Sequence, residues 1–230
     1  MIREIVITRE KAEDRAYAVL ASYYGAKMSS LEPPIDVEMI GEAHFDLKWE
    51  WDVIDDSILP KSFSSAPLGS MVILAGLYPR SKRVVLNEKH VALFQEKPGL
   101  ERFTKGHEIG HWVLHIDQGV LNNLPLFDYD GNEGSKPEAI ICRDGDDTWI
   151  ERQANWFAAG LLMPKDLFLR KASPLDLQRW QSRYELAERF GVTISAVGVR
   201  LDQFGLSYVD EKGDIHRSKA ERSGQMALRG

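Results

Sequence analysis

An α+β fold is what the sequence predicts: helices packed on a small mixed or antiparallel sheet over residues 1–172, a small helix-turn-helix-like subdomain over 173–217, and a polar tail over 218–230. Three observations predict it. Apolar residues at helical spacing recur in segments that stop at Gly or Pro, short strand-like runs fall between them, and two helical patterns separated by a glycine come near the end of the chain.

Taken in order, "AEDRAYAVLASYYG" (12–25) has the period of an amphipathic helix and stops at Gly25, and "IDVEMIGEAH" (35–44) predicts a second, shorter helix. "FDLKWEWDVI" (45–54) alternates apolar and polar residues as a half-buried strand does. "GSMVILAGLYP" and "SKRVVLNEK" are two further strands joined through Pro79 and Arg80, which suggests an antiparallel arrangement. Thr104 is a candidate cap for the helix that follows. Residues 117–147, rich in Asn, Asp, Gly and Pro, read as a surface loop or flap. Within it "DYDGNEG" (128–134) departs from a calcium loop, since Glu133 stands where the turn glycine belongs. "WIERQANWFAAGLLM" (149–163) resumes a helical pattern before Pro164. The segment 184–206 reads as helix, turn at Gly191, helix, and a short hairpin wing is expected around Gly213.

Composition narrows the function. With 43% hydrophobic and 28% charged residues in 230, the chain has the makings of a folded soluble protein. Its longest apolar runs fall far short of a membrane span and its first residues are too charged for a signal peptide, so the expected location is the cytoplasm, with no membrane partner. A net charge of −6 speaks against a protein built to wrap nucleic acid. The single cysteine, Cys142, excludes an internal disulfide framework and is expected to be buried and inert in a strand. Any bound metal must therefore be held by histidines and carboxylates.

"HEIGHWVLH" (107–115) places three of the six histidines four residues apart, which stacks His107, His111 and His115 on one helix face. HExxH is the metalloprotease pattern because two imidazoles one turn apart can share a zinc ion while the intervening carboxylate acts as general base. Here those are His107, His111 and Glu108. The metal polarises a carbonyl and activates water, and the glutamate takes the proton and passes it to the leaving amine. The pattern alone arises by chance in roughly one chain in a hundred of this kind. Ile109, Trp112, Val113 and Leu114 supply an apolar back face, and Gly110 is expected to leave the metal side open.

Catalytic zinc takes three protein ligands and keeps a fourth position open. The "ExxAN" of the 149–163 helix offers Glu151 as third ligand, and Asn155, one turn on, as a hydrogen-bond partner that orients a ligand histidine. Asp144, Asp146 and Asp147 compete from a turn-rich segment. His115 lies two turns, about 12 Å of helical rise including the third turn's start, from His107, and is expected to support the ligands rather than join them. One Zn2+ per chain is expected, and Mn2+ would suit the same donors.

"RFTKGHEIGHWVLH" followed by "ERQANWFAAGLLMP" resembles the ImmA/IrrE family of zinc metallo-endopeptidases, a resemblance that extends upstream through "PPIDVEMIGEAHFDL" and "RVVLNE" and covers about residues 12 to 165. It implies a zincin-like metallopeptidase domain, zinc on His107, His111 and Glu151, Glu108 as base, and a helix-turn-helix transcriptional repressor as the protein substrate. The distance from His111 to Glu151 is longer than in compact members, so 117–147 reads as an insertion. An extended substrate is expected to pair with an edge strand near "RVVLNE".

Two other readings come from different classes. A DNA-binding regulator would use the helix near 193–203 in a major groove with Arg179, Arg183, Arg189 and Arg200 on phosphates, yet "TISAVGVRLDQ" offers few base-reading side chains, and a packing or docking module is favoured. A toxin–antitoxin-type regulatory protein would keep the metal site for structure or for holding a partner. The presence of Glu108 argues for catalysis, because a binding-only site has no chemical need of a base.

Overall fold

The computed structural model describes residues 6–54, 72–122, 140–143 and 148–217. Thr8 opens α1 (Arg9–Tyr24) by accepting from the Lys11 amide at 3.4 Å, and Gly25, with φ of 53°, ends it. Asp36 caps α2 (Val37–Phe45) through the Met39 amide at 3.1 Å. Then come β1 (Lys48–Asp52), β2 (Ile73–Tyr78), β3 (Arg83–Asn87) and the short α3 (Val91–Glu96). The histidine column lies on α4 (Pro98–His115), followed by α5 (Gln118–Asn122) and β4 (Ile140–Arg143). α6 (Trp149–Leu162), α7 (Lys165–Ala172), α8 (Trp180–Phe190) and α9 (Ile194–Gln203) precede a two-stranded hairpin, β5 (Tyr208–Val209) and β6 (Ile215–His216). Gly213 lies between these two strands at a positive φ of 88°, as a hairpin there requires.

The four larger strands form a mixed sheet in the order β1-β3-β2-β4. β1 runs parallel to β3, whereas β2 is antiparallel to both β3 and β4. The sheet is therefore not the purely antiparallel one that the β2–β3 connection suggests. β3 lies in its centre, so its backbone is already paired on both sides and it does not offer the free edge expected for a substrate. Its sequence carries the reason: "VVL" is a continuous apolar run, buried on both faces, as central strands are. Asn87 ties the strand ends together from a buried position, donating to the carbonyls of Ile73 at 2.8 Å and Ile54 at 3.2 Å and accepting from the amides of Ile54 and Lys89.

Leu77 and Val84, directly opposite on β2 and β3, face the helices, while Leu74, Ala75 and Leu86 pack on Phe94 of α3. α6 lies between α1 and α4, its most extensive neighbours. The α4–α6 crossing depends on a glycine. A Cβ at Gly110 would stand 3.0 Å from the Ala154 carbonyl oxygen and 3.1 Å from its Cα. Gly110 thus serves close helix contact and not, as its place in HEIGH suggests, an open metal side. Thr104 is likewise not a cap: it lies buried inside α4, which starts six residues earlier because Pro98 is suited to the first helical turn.

The segment 117–147 is less irregular than its composition implies, because α5 and β4 fall within it and β4 joins the sheet. The acidic stretch 128–134, Asp144, Asp146, Asp147, the tail from 218 and the side chain of Cys142 lie outside the described residues.

α8 and α9 meet at Gly191, whose φ is 61°, and Thr193 caps α9 through the Ala196 amide at 3.2 Å. Their apolar residues Leu186, Phe190, Val197 and Leu201 belong to the same core as Ile109, Phe157 and Leu161. The turn between them lies on the start of α4, where a Cβ on Gly99 would overlap the Val192 backbone at 2.4 Å. Arg200, only 1% exposed, donates to the Met163 carbonyl at 2.9 and 3.1 Å and pairs with Glu13 of α1 at 2.7 Å. Arg183 is equally buried and donates to Ser207 Oγ at 2.8 Å. Two of the four arginines assigned to phosphates in the DNA-binding reading are thus inside the protein. Arg200→Met strips the Met163 carbonyl of its donor and leaves Glu13 only the longer contact with Arg9 at 3.6 Å, and is expected to destabilise the fold by about 3–5 kcal/mol in chemical denaturation.

Candidate metal centre

α4 presents the column because its spacing of four keeps His107, His111 and His115 on one face, and α6 runs antiparallel to it with Glu151 in its first turn. A carboxylate at that end of a helix is favoured by the backbone amides. His107 Nε2 lies 2.9 Å from His111 Nε2 and 2.9 Å from Glu151 Oε2, while His111 Nε2 lies 3.1 Å from Glu151 Oε1. All three residues are buried, and together they form the group among the described residues that could hold a metal ion.

The other ring nitrogens decide what these three atoms can do. His107 Nδ1 is 2.9 Å from Asn155 Oδ1, an acceptor, so Nδ1 carries the proton and Nε2 presents a lone pair. His111 Nδ1 faces His115 Nδ1 at 3.0 Å. With His111 donating there, its Nε2 also presents a lone pair. Two imidazole lone pairs and a carboxylate then converge in a buried space, where they repel one another unless a cation lies between them. Tetrahedral zinc on such donors sets them roughly 3.3 Å apart, close to the spacings present. The donor set fits zinc.

Burial alone would raise the pKa of Glu151, but when His111 and His107 carry protons on the nitrogens that face it, their charge and hydrogen bonds outweigh burial and hold the carboxyl well below the usual range. Burial, reinforced by His111, pushes His115 down to about 3, so its imidazole is neutral at ordinary pH. His115 lies outside the converging trio, in keeping with its distance along the helix. Glu108, fully buried, follows His107 on α4, and Asn155 is solvent-facing even as it holds the His107 ring.

The family profile of Peptidase M78, described as the IrrE N-terminal-like domain, matches residues 64–202, more than half of the chain. The chain belongs to the ImmA/IrrE family. The family profile is named for peptidases, and the match runs past α6 through α8 and all but the last residue of α9. No curated protein matches the chain. A solved structure of a Mycobacterium tuberculosis transcriptional regulator is similar over 91% of this chain and 59% of its own length, at 16% identity and a TM-score of 0.44. This chain thus spans less than two thirds of that one. Among the described residues no helix of this family member is long and apolar enough to cross a membrane.

Sequence reasoning missed Gln153, fully buried between Glu151 and Asn155, and the glycine crossing that sets the distance between the two helices. The Gly106 and Gly110 spacing was the signal for the crossing. Gln153 gave none, since a polar residue in an amphipathic helix ordinarily faces water.

Proposed function

We propose that the protein is a zinc-dependent endopeptidase that hydrolyses a peptide bond in a protein substrate, a helix-turn-helix transcriptional repressor. One observation carries the reading: two imidazole nitrogens and a carboxylate converge at 2.9 to 3.1 Å with Glu108 on the same helix between the two histidines. His107, His111 and Glu151 would hold the metal. When bound there, zinc supplies a Lewis acid that polarises the scissile carbonyl and acidifies water.

Glu108 is the group that takes the water's proton and returns it to the departing amine, which accounts for a carboxylate at that position. Asn155 fixes the His107 ring by accepting from Nδ1. Trp112, Ile109 and Phe157 keep the helix pair dry behind the site and so strengthen every charge interaction in it.

The helix pair α8–α9 with its hairpin serves, in this reading, as a docking and packing module and not as a reader of DNA. Supporting this, Arg183 and Arg200 are committed to the interior, and the outward positions of α9 include Ser195 and Val199, which offer no charge to a phosphate.

The test is incubation of the zinc-loaded protein with the repressor encoded nearest its gene, followed by mass spectrometry of the products. Cleavage at one site supports the proposal. Tight, stoichiometric capture of an intact partner would instead favour the partner-binding reading.

A further inference from the structure

The helix pair α8–α9 encloses two arginines, and they are not balanced alike. Arg200 has Glu13 and the Met163 carbonyl. Arg183, also 1% exposed, makes one hydrogen bond among the described residues, from Nη2 to Ser207 Oγ at 2.8 Å, and no ion pair with any of them. Its Nε is buried without an acceptor, and its Nη1 lies against α9, 3.6 Å from where a Cβ on Gly198 would stand. Two acids close to it in sequence or on the hairpin are engaged elsewhere, Glu185 with Arg189 and Asp210 with His216. Burial accordingly lowers the pKa of Arg183 from the ordinary arginine value, with no carboxylate to oppose it. A charge held out of water without a counter-charge is strongly unfavourable unless something outside the fold supplies one.

The cover over this cation is an aromatic side chain at the surface. The Trp180 ring lies over the guanidinium, with Cζ 5.7 Å from the ring centroid, and is itself 44% exposed at the first position of α8. Tyr184, one turn on and also exposed, has its ring 6.5 Å from that of Trp180. Trp, Tyr and Arg are the residue types that dominate binding energy at protein interfaces, and side-chain rotation on docking is common there. An exposed indole at a helix start can turn aside and yield its place over Arg183 to a ligand.

We propose that Arg183 is the receptor for a carboxylate of a docked protein partner: a Glu or Asp side chain of the partner enters beside Trp180 and pairs with the guanidinium, while Trp180 and Tyr184 pack on the apolar residues that flank it. A side-chain carboxylate is slender enough to reach an enclosed guanidinium and matches its Nε–Nη edge with two oxygens. The phosphates of a duplex are fixed in its backbone and do not reach inside a fold. This inference rests on the reading of α8–α9 as a docking module and names what that module recognises.

The experiment follows the Arg183 Nε–H and Trp180 indole N–H signals of the full chain by 15N NMR. It is titrated with two capped peptides, acetyl-Leu-Glu-Leu-amide and acetyl-Leu-Gln-Leu-amide, and with inorganic phosphate. The glutamate peptide is expected to shift both signals and to bind about 10-fold or more tightly than its neutral twin, the difference between charge-assisted and neutral hydrogen bonds. Arg183→Met is expected to abolish that preference and to melt at or above the wild type, because an apolar chain in place of an unpaired buried charge removes an unfavourable burial. No shift with either peptide, equal affinity for the two, or a response to phosphate alone overturns the proposal. Melting of Arg183→Met as far below the wild type as that of Arg200→Met also overturns it, by showing that the guanidinium holds the fold together. Peptide binding is read without metal or repressor, so a failure to prefer glutamate leaves the peptidase reading standing, and a failure to cleave a repressor leaves the carboxylate receptor standing.

Discussion

Glu108→Gln is expected to lower peptide hydrolysis by about 10²–10⁴-fold, the range that a general base supplies, while the protein still folds and still takes up its metal. The two side chains are nearly identical in shape, so the buried position keeps its packing. The amide cannot accept a proton from water at neutral pH, and that single property is what the substitution removes. Comparing single-turnover cleavage with metal content separates this outcome from damage to the site. Activity within tenfold of wild type, at full metal loading, would mean that another group takes the proton.

Gly110→Leu is expected to have the largest structural effect. Even a Cβ at this position stands 3.0 Å from backbone of α6, so a branched side chain must push the two helices apart. Overpacking of this kind costs about 1–3 kcal/mol and sometimes more, and here the helices that separate are those carrying His107, His111 and Glu151. Metal affinity should fall with stability. The milder Gly110→Ala tests the sign of the effect, because alanine in a helix interior is ordinarily favoured over glycine by about 1 kcal/mol. At Gly106, one turn away, a Cβ would find ordinary contacts at 3.5 Å, so Gly106→Ala is expected to be stabilising and Gly110→Ala destabilising. Equal shifts in denaturation midpoint at the two positions would refute the tight crossing.

The candidate site was the most legible part of the sequence. HExxH and ExxAN are local patterns whose chemistry dictates their spacing, so His107, His111, Glu151 and the Asn155 partner could be named without knowing how the helices meet. Helix ends were also legible where a single residue decides them, as Gly25 and Gly191 do. Less was visible where the deciding partner is distant in sequence. The central place of β3 depends on β1 returning beside it in parallel, which no run of alternating residues records. Likewise, nothing local distinguishes Arg200 on a phosphate from Arg200 on the Met163 carbonyl, since amphipathic helices place arginines on either kind of surface. β4 was foreseen only through Cys142, whose apolar neighbours in "AIIC" marked a strand within an otherwise polar stretch.

The most direct test of the metal centre is the metal content of the purified protein and of Glu151→Ala, measured by elemental analysis after dialysis against metal-free buffer. The arrangement of His107, His111 and Glu151 predicts one zinc per chain in the wild type and its loss, with the fold retained, in Glu151→Ala. A wild type that retains no divalent metal, or a Glu151→Ala variant that holds zinc as firmly as the wild type, would contradict it.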